Sequence, residues 1–530
     1  MISAFGTRKT LVLATLLAGA AAIPSPGASQ SASPAQRCEA MAGTQIRPGL
    51  TITSATHRSA SLARPAAVPG APPASALPAH CLVEGTMDPH RGADGREFAI
   101  GFALALPDEW NGRFLLQGGG GLNGNVGAPI GPVAAGSQPA LARGFAVISH
   151  DSGHKGAVFD ASFMTDQRAA LDFAETSVRT VALAGKAMTE RFYGRSIGHS
   201  YMTGCSTGGR EGMLAAQRYP ELFDGVVVGA PAMRTGHSNL AIEYSAVQFN
   251  QAAPRDAQGL PLVDRIFSAA DRQTILAGLL RQCDGLDGRD DGMIMNVAQC
   301  RFRPAALQCA GEKADGCLSG AQVAAMESAF AGPKDAAGYP AYVPVPYDTG
   351  IVFTGPGLPG YIPTGTPGVF GPATRALTID IDARLRAIEA DAGERLTNTH
   401  VWTDLDTFLG RGGKLLFFHG VSDPWFSAND SWDYWLRAAA TNGPAFTQAS
   451  RYYMNPGMMH CGGGNAFDRF DLLGPLVDWV ENGRAPENLV ASRADGSASR
   501  PLCPHPAYPH YEGGDPGLAA SYSCRAPATG

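Results

Sequence analysis

A serine lies in a glycine-rich turn in the stretch GCSTGG, which runs from Gly204 to Gly209. Residues 204–208 fit the pattern G-x-S-x-G, in which glycines permit a tight turn that lifts a serine hydroxyl out of a sheet at the start of a helix. The preceding HSYMTGC has the pattern of a strand and the following GGREGMLAAQRYPELF that of a helix. This context predicts that Ser206 is a nucleophile, although so short a motif also recurs by chance in glycine-rich proteins.

A serine hydroxyl needs a histidine as general base, and the histidine is in turn oriented by a carboxylate. In sheets of this kind the order along the chain is Ser, then Asp or Glu, then His. Of the three histidines after residue 420, His460 is the predicted base because it follows the strand-like SRYYMN and begins a glycine loop. His505 and His510 lie in the proline-rich CPHPAYPHY, which offers no rigid platform.

Asp423 is the predicted acid because it lies just past the end of the strand-like KLLFFHG. Asp430 and Asp433 are the other nearby carboxylates, but both fall in the helical stretch that follows. The alternative interpretation of Asp423 is an ordinary turn residue before proline. The predicted catalytic triad is therefore Ser206, Asp423 and His460.

A cysteine lies beside the predicted nucleophile and another beside the predicted base. Cys205 precedes Ser206, and Cys461 follows His460. A working triad brings these two loops together, so the two cysteines could pair and hold the loops in place. Two unrelated buried thiols are the alternative, but positions next to two independently chosen residues favour the disulfide.

Acyl transfer also requires hydrogen-bond donors for the oxyanion. One predicted donor is the backbone N–H of Thr207, the residue after the nucleophile. The second is expected in the loop QGGGGLNG, where glycines allow backbone amides to approach a substrate closely. We predict that this donor is Gly121, with its neighbours as alternatives.

Strand-like and helix-like segments alternate from about residue 98 onward. EFAIGFALALP, GRFLLQ, GFAVISH and DGVVVG predict strands, and SVRTVALAGKAMTERFYG predicts an amphipathic helix ended by Gly194. The alternation is lost between residues 232 and 399 and resumes at KLLFFHG. We therefore predict an α/β fold with a mostly parallel sheet covered by helices on both faces, formed by residues 38–231 and 400–530, with residues 232–399 inserted.

The N-terminus has the pattern of a secretory signal peptide. Arg8 and Lys9 precede an apolar run from Leu11 to about Ile23, and small residues follow. We predict a signal peptide over about residues 1–28 and an exported protein, periplasmic or secreted; a helix of the folded domain is the alternative. No other apolar run is long enough to cross a membrane, so no span is expected in the mature chain.

Composition limits the class of partner. Hydrophobic residues make up 45% and charged residues 17% of the chain, as in a globular protein, and the net charge of −6 comes without a Lys/Arg run. Nucleic acid is therefore not an expected partner. The ten cysteines, an even number in an exported chain, predict disulfides, and the absence of CxxC leaves zinc ribbons and redox motifs without support.

The acidic loop CDGLDGRDDGMI has the chemistry of a hard-cation site. Asp284, Asp287 and Asp291 offer closely spaced carboxylates, and the intervening glycines allow the loop to wrap around an ion such as Ca²⁺. The spacing does not match an EF-hand, and a solvated acidic turn is the alternative.

Four motifs together carry a resemblance to a known family. GCSTGGREGM, HGVSDP, PGMMHCGGG and RPLCPHP are similar to the tannase and feruloyl esterase family of α/β-hydrolases, which includes mono(2-hydroxyethyl) terephthalate hydrolases. The similarity runs from about Cys38 to Cys524 and implies an α/β-hydrolase fold with a lid domain inserted after Pro231. It also implies the disulfides Cys38–Cys81, Cys205–Cys461, Cys283–Cys300, Cys309–Cys317 and Cys503–Cys524.

The resemblance implies two further sets of residues. A structural calcium site in the lid would add the backbone carbonyls of Arg289 and Met293 to the three carboxylates. His419 and Phe426 match substrate-pocket positions of the terephthalate subgroup, although a strand-end histidine and a packing aromatic are equally simple interpretations. In that subgroup a lid arginine holds the substrate carboxylate; here Arg375 is the nearest cation, in a tract that is short and rich in glycine and proline.

The sequence thus predicts an exported serine esterase that cleaves esters of aromatic acids through an acyl-enzyme, with no organic cofactor. Feruloyl or galloyl esters are the leading substrates, and a terephthalate monoester is the alternative. An acyltransferase and a non-catalytic secreted binding protein are the rivals from other classes. The oligomeric state is not predicted.

Overall fold

The structure is a computed structural model that describes residues 6–7, 9–11, 32–64, 75–355, 360–364 and 374–528. The predicted signal peptide lies almost entirely outside these residues. Among the described residues, no helix combines the length and apolar character needed to cross a bilayer.

The strands are β1 (Leu50–Arg58), β2 (His80–Arg91), β3 (Glu97–Pro107), β4 (Arg113–Gln117), β5 (Ala146–His150), β6 (His199–Cys205), β7 (Gly225–Gly229), β8 (Lys414–Gly420), β9 (Ser450–Asn455), β10 (Arg469–Phe470), β11 (Val490–Ser492), β12 (Ser499–Pro501), β13 (Tyr508–Tyr511) and β14 (Tyr522–Arg525).

Helices connect and cover these strands. They are α1 (Pro34–Met41), α2 (Gln167–Leu171), α3 (Ser177–Tyr193), α4 (Thr207–Arg218), α5 (Thr235–Ala252), α6 (Ala269–Cys283), α7 (Gly320–Ala331), α8 (Ile381–Ala390), α9 (Ala392–Thr397), α10 (Asp406–Gly410), α11 (Ala428–Asn442), α12 (Pro444–Ala449) and α13 (Leu473–Asn482).

Nine strands form the main sheet, in the order β1-β2-β3-β5-β4-β6-β7-β8-β9. The pairs from β5 through β4 and β6 to β9 are parallel, whereas β1, β2, β3 and β5 pair antiparallel at one side. The predicted mostly parallel α/β sheet is therefore confirmed. Because parallel strands end at the same edge, the loops after β4, β6, β8 and β9 lie together there.

Two apolar layers cover the two faces of this sheet. One contains buried side chains of α3, α4 and α11, including Val181, Leu214 and Tyr434. The other includes Leu476 and Trp479 of α13. Burial on both faces explains why the central strands are continuous apolar runs, such as the GVVVG of β7, rather than alternating patterns.

The chain between β7 and β8 contributes no strand to the main sheet in its described part. It carries α5 to α10 and has an apolar core of its own, which includes Phe249, Leu279 and Phe330. The predicted insertion over residues 232–399 falls within this part of the chain; its division as a separate domain and its function as a lid stay predictions.

Several boundaries differ from the sequence prediction. The helix after Ser206 ends at Arg218 instead of running to Phe223, because Pro220 follows and the residue before a proline is disfavoured in a helix. The strands β1 and β2 were not predicted. The segment LTITSATHR of β1 has mixed polar and half-buried positions at the sheet edge, so its alternation is weak.

Candidate active site

Ser206 lies at the turn between β6 and α4, as its motif predicts. Its backbone has φ 64° and ψ −123°, a conformation that L-residues rarely adopt, and its N–H donates to the Gly229 carbonyl at 3.0 Å. Strain of this kind is typical of functional residues, and here it places the serine at the N-terminus of a helix.

The glycines around Ser206 are required by close backbone contacts. A Cβ on Gly204 would lie 2.3 Å from the carbonyl oxygen of Gly208, and a Cβ on Gly208 would lie 2.7 Å from that of Gly119. The turn therefore packs backbone against backbone, which is why the motif needs glycine at both positions.

Asp423 follows β8 and is fully enclosed by hydrogen-bond donors. Its Oδ1 accepts the N–H groups of Trp425 at 2.9 Å and Phe426 at 3.1 Å. Its Oδ2 lies 2.6 Å from His460 Nδ1 and 3.2 Å from His419 Nε2. Burial would raise the pKa of Asp423, but the attraction of His460 and the hydrogen bonds from both histidines outweigh it and lower the pKa below its ordinary value.

His460 follows β9 and faces Asp423 through Nδ1. Its Nε2 is buried and has no hydrogen-bond partner within the described part of the chain. Cys461 is bonded to Cys205 with their Cα atoms 6.0 Å apart, so one disulfide joins the residue after the histidine to the residue before the serine. A histidine held at Nδ1 by a carboxylate and left open at Nε2 has the geometry of a general base.

The alternative residues are engaged elsewhere. Asp430 forms an ion pair with Arg234, and the guanidinium of Arg437 lies 2.9 Å from Asp433. His505 packs edge-on against Trp432. Burial lowers the pKa of His505 to about 4, so it is neutral near pH 7.

The other alternative histidine, His510, lies near the acidic loop. Its Nε2 is 3.1 Å from the position that a Cβ on Gly288 would occupy. His510 is therefore placed beside the predicted cation loop rather than beside Ser206.

The predicted oxyanion donors lie side by side. Thr207 begins α4, and its hydroxyl donates to the carbonyl of Gly121. Neither the Thr207 N–H nor the Gly121 N–H donates to another residue of the described ranges. Gly121 has φ 58°, and a Cβ there would lie 2.6 Å from both Cγ1 and the carbonyl oxygen of Val158, so a side chain would not fit.

Glu211, a residue without a predicted role, anchors the glycine loop. This fully buried residue of α4 accepts the Gly119 N–H at 2.9 Å and the Ser152 hydroxyl at 3.2 Å. The sequence signal for this contact is a charged residue within the apolar helix after Ser206. A buried charged side chain needs a polar partner, but the sequence does not show which one. Glu211 thus ties the helix that begins after Ser206 to the loop that carries Gly121.

Aromatic rings lie beside His460. The ring centroids of Trp425 and Phe426 lie 4.8 Å and 5.4 Å from that of His460, and Phe159 packs edge-on against Trp425 at 6.0 Å. Phe426 was predicted as a pocket residue, whereas Trp425 and Phe159 were not. Nothing in their sequence spacing signals this arrangement, because Phe159 comes from a loop more than 260 residues earlier.

His419 lies behind Asp423. It has no exposed surface, and its Nδ1 lies 2.9 Å from the Ser431 hydroxyl while its Nε2 faces Asp423. A direct contact between this side chain and a substrate would need a rearrangement. In this structure His419 acts on the site through Asp423.

The acidic loop contains two buried carboxylate oxygens without hydrogen-bond partners among the described residues, Asp287 Oδ2 and Asp291 Oδ1. Burial, and then the charges of Asp291 and Asp284, raise the pKa of Asp287 to about 7 against the hydrogen bond from the Arg289 N–H. The other oxygens are occupied: Asp284 accepts backbone N–H groups, and Asp291 Oδ2 lies 2.7 Å from Arg500. Over the described ranges, no three carboxylate, histidine or cysteine side chains form a metal-binding group. The two orphaned oxygens suit a cation, and further ligands would have to be carbonyls such as those of Arg289 and Met293.

Arg375 is occupied by other contacts. Its guanidinium lies 2.6 Å from Asp256 Oδ2 and also donates to the Pro261 carbonyl. Most of the tract between Ile351 and Arg375 lies outside the described residues. The ten cysteines pair as Cys38–Cys81, Cys205–Cys461, Cys283–Cys300, Cys309–Cys317 and Cys503–Cys524, which is the pairing that the resemblance implied.

Comparisons with known proteins give matches over most of this chain. The family described as "Tannase and feruloyl esterase" matches residues 81–354 and 377–525. Mono(2-hydroxyethyl) terephthalate hydrolase from Piscinibacter sakaiensis is 38% identical over 87% of this chain and 87% of its own length. A probable feruloyl esterase from Arthroderma benhamiae is 31% identical over 84% of this chain and 85% of its own.

The solved structures include a close match in fold. Feruloyl esterase B from Aspergillus oryzae superposes with a TM-score of 0.74 at 26% identity, covering 93% of this chain and 100% of its own. Tannin acyl hydrolase from Aspergillus niger shares the fold with a TM-score of 0.69 at 22% identity, covering 93% of this chain and 96% of its own. The resemblance seen in the motifs is confirmed: the chain belongs to the tannase and feruloyl esterase family of α/β-hydrolases and is a carboxylic ester hydrolase.

Proposed function

We propose that this enzyme hydrolyses esters of aromatic carboxylic acids through an acyl-enzyme on Ser206. His460 Nε2 takes the proton of the Ser206 hydroxyl as its oxygen attacks the ester carbonyl. Asp423 holds the imidazole through Nδ1 and stabilises the imidazolium that forms. The N–H groups of Thr207 and Gly121 bind the oxyanion of the tetrahedral intermediate.

Collapse of that intermediate breaks the bond to the alcohol oxygen. His460 returns its proton to the leaving alcohol, and the acyl group stays on Ser206. A water molecule then gives a proton to His460 and attacks the acyl carbon, and the second tetrahedral intermediate releases the carboxylic acid and regenerates the serine. His460 is thus base and acid in turn in each half of the reaction.

The observation that carries this proposal is the position of His460 between Asp423 and the disulfide that leads to Ser206. Its Nδ1 lies 2.6 Å from the Asp423 carboxylate, and its Nε2 is left without a described partner. Ser206→Ala should abolish hydrolysis of 4-nitrophenyl esters and labelling by an aryl phosphonate. Hydrolysis retained in this variant would contradict the proposal.

The aromatic rings beside His460 support an aromatic substrate. Phe159, Trp425 and Phe426 offer ring surfaces against which a planar acyl group can pack. Feruloyl and galloyl esters, which carry no second carboxylate, are the leading candidate substrates. Arg375, the predicted candidate to hold a substrate carboxylate, is paired with Asp256.

An acyltransferase would use the same residues, and product analysis with an acceptor alcohol present separates the two activities.

A terephthalate monoester is the second candidate substrate, supported by the 38% identity to mono(2-hydroxyethyl) terephthalate hydrolase. Methyl ferulate, methyl gallate and mono(2-hydroxyethyl) terephthalate should be compared side by side by kcat/KM. A preference of more than tenfold for the first two would assign the enzyme to feruloyl or galloyl esters. The reverse preference would assign it to the terephthalate monoester.

We also propose that the protein is exported and binds a structural Ca²⁺ in the acidic loop. Five disulfides are typical of an oxidising compartment, which supports export through the predicted signal peptide. The orphaned oxygens of Asp287 and Asp291, with the carbonyls of Arg289 and Met293, would hold the ion. Asp284, the third predicted carboxylate, would join them only by releasing the backbone N–H groups that it accepts in this structure. It would neutralise buried negative charge and take no part in ester cleavage.

A further inference from the structure

Asp348 is a buried carboxylate in the chain between β7 and β8. It has no exposed surface and precedes a single helical turn over Thr349–Val352. Neither sequence spacing nor the proposed reaction assigns it a function. Its contacts are with the two loops that follow β8 and β9.

The carboxylate joins the acid loop to the histidine loop. Asp348 Oδ2 accepts a hydrogen bond from the Ser422 hydroxyl at 2.6 Å and another from the backbone N–H of Gly457 at 2.6 Å. Ser422 immediately precedes Asp423, and Gly457 comes three residues before His460. One oxygen of Asp348 therefore binds both the loop that carries the predicted acid and the loop that carries the predicted base.

The backbone around Asp348 packs against the same two loops. The N–H of Gly350 donates to Ser422 Oγ at 3.0 Å. A Cβ on Gly350 would lie 2.5 Å from Ser422 Cβ and 3.1 Å from Met459 Sδ, so no side chain fits at this position. The inserted chain thus contacts the neighbours of both Asp423 and His460.

The loops also pair with each other directly. The Ser422 N–H donates to the Met458 carbonyl at 3.0 Å, and the Val421 N–H donates to the Asn455 carbonyl at 3.0 Å. These bonds fix the two loops near their strands. Asp348 adds a further attachment of both loops, through a residue of the inserted chain.

Burial of the Asp348 carboxylate lowers the stability of the fold, so a purely structural role does not explain a charged residue type at this position. Burial raises its pKa, and only the hydrogen bonds from Ser422, Gly457 and the Thr349 N–H oppose this. Within the described chain no cation opposes this rise in pKa, and the Asp348 Oδ1 has no hydrogen-bond partner. Buried polar groups left partly unsatisfied destabilise a fold and concentrate at functional sites.

We propose that Asp348 is a positioning residue through which the inserted chain holds Asp423 and His460 in the geometry needed for proton transfer. The inference rests on the proposed function for its catalytic consequence. It goes beyond that function because it gives the inserted chain a direct effect on the triad, in addition to any contact with substrate.

The test compares Asp348→Ala with Asp348→Asn, using 4-nitrophenyl ester hydrolysis and the rate of Ser206 labelling by an aryl phosphonate. A shift of about 1 Å in a catalytic group typically costs on the order of 100-fold in rate, so Asp348→Ala should lower kcat by roughly 10- to 100-fold. The KM should change little. Asp348→Asn should recover most of the kcat, because its amide oxygen can accept both hydrogen bonds.

A second readout does not depend on substrate. The proton shared by His460 Nδ1 and Asp423 should give a far-downfield ¹H NMR signal in the wild-type enzyme, and Asp348→Ala should shift or broaden it. Asp271→Ala is the matched control, because Asp271 is a buried carboxylate of the same inserted chain that accepts from Ser268 and Gln322 and contacts Lys313. This control should lower thermal stability without changing kcat or the downfield signal.

The proposal would be overturned if Asp348→Ala, like Asp271→Ala, lowered only the melting temperature and kept the wild-type kcat and downfield signal. If Asp348→Ala does not fold, Ser422→Ala removes one of the two hydrogen bonds, and wild-type kcat and signal in that variant would overturn the proposal equally. A wild-type enzyme without esterase activity would contradict the proposed function, while the NMR signal would still decide the role of Asp348.

Discussion

Four hydrogen-bond donors converge on the carboxylate of Asp423, and they divide its two oxygens by task. One oxygen accepts two backbone N–H groups of its own loop, while the other faces His460 and His419. The two backbone N–H groups fix the carboxylate, and its other oxygen orients the imidazole of His460. His419 contacts that same oxygen and so supports Asp423, while a contact of His419 with substrate remains a prediction.

Asp423→Asn should leave the fold intact and nearly abolish catalysis. The amide cannot stabilise the imidazolium and favours the wrong tautomer of His460, a change that typically lowers kcat on the order of 10⁴-fold. The measurement is kcat for a 4-nitrophenyl ester, with Asp433→Asn as the control because Asp433 pairs with Arg437 at a partly exposed site. A loss of less than tenfold in Asp423→Asn would show that another group orients the base.

Asp151 should make stability depend on pH. Burial raises its pKa to about 7, against hydrogen bonds from the Gly153 and Gly101 N–H groups, whereas an unfolded Asp titrates near about 4. The folded state therefore binds the extra proton between these values, and stability falls as the pH rises from about 4 to about 7.

Asp151→Asn should remove this dependence, because the amide keeps an oxygen acceptor but cannot ionise. Its melting temperature relative to wild type should be higher at pH 8 than at pH 5. Thermal melts at the two pH values measure this. An equal difference at both pH values would show that Asp151 does not titrate in this range.

At the scale of elements, the site depends on loops held at one edge of a parallel sheet. The loop after β6 carries Ser206, the loop after β8 carries Asp423, and the loop after β9 carries His460. Glycine backbones let these loops touch: a Cβ on Gly420 would lie 2.3 Å from the carbonyl oxygens of Met458 and Met459. The Cys205–Cys461 disulfide adds a covalent link between the first and the last of them.

Replacing both Cys205 and Cys461 by serine should lower stability and kcat together. The cysteines are 256 residues apart, and closing such a loop in the unfolded chain corresponds to about 5 kcal/mol in the loop-entropy picture. The rate should fall because Ser206 and His460 lose their common attachment. Thermal melts and ester hydrolysis are the measurements.

The matched control replaces Cys309 and Cys317, which are 8 residues apart and lie in the inserted chain. Its loop-entropy effect is about 2 to 3 kcal/mol, and kcat should stay at the wild-type value. Equal kcat in the two double variants would show that the Cys205–Cys461 disulfide stabilises the fold without positioning the triad.

At the scale of the whole molecule, the inserted chain has its own apolar core, two disulfides and the acidic loop. Asp291 reaches from that loop to Arg500 near the C-terminus. A cation bound there would stabilise both the inserted chain and its contact with the C-terminal strands.

Calcium should therefore raise the melting temperature. Enzyme treated with EDTA should melt a few degrees lower, since a ligand at about 100 times its Kd stabilises the folded state by about 2.7 kcal/mol. The melting temperature should recover with CaCl₂ but not with MgCl₂. Asp287→Asn should remove the response to CaCl₂. A melting temperature that is the same with EDTA and with CaCl₂ would argue for a solvated acidic turn.

Much of this architecture follows from patterns within short stretches of chain. The strands β3 to β9 are apolar runs bounded by turn residues, and the glycines that the Ser206 turn requires lie on either side of the serine in the sequence. The order of serine, acid and histidine, and a cysteine beside the first and the last, are visible without any structure. These features are local, because backbone conformation and residue chemistry depend mainly on neighbours in sequence.

Contacts between distant stretches depended on the tertiary structure. Glu211 beneath the glycine loop, Trp425 and Phe159 around His460, and Asp348 between the two loops have no sequence pattern of their own. Each acts through partners far along the chain, and burial, which gives a polar contact its strength, exists only after the sheet and the inserted chain pack. Chemistry was therefore readable from residue types and spacing, whereas the groups that orient it emerged only from packing.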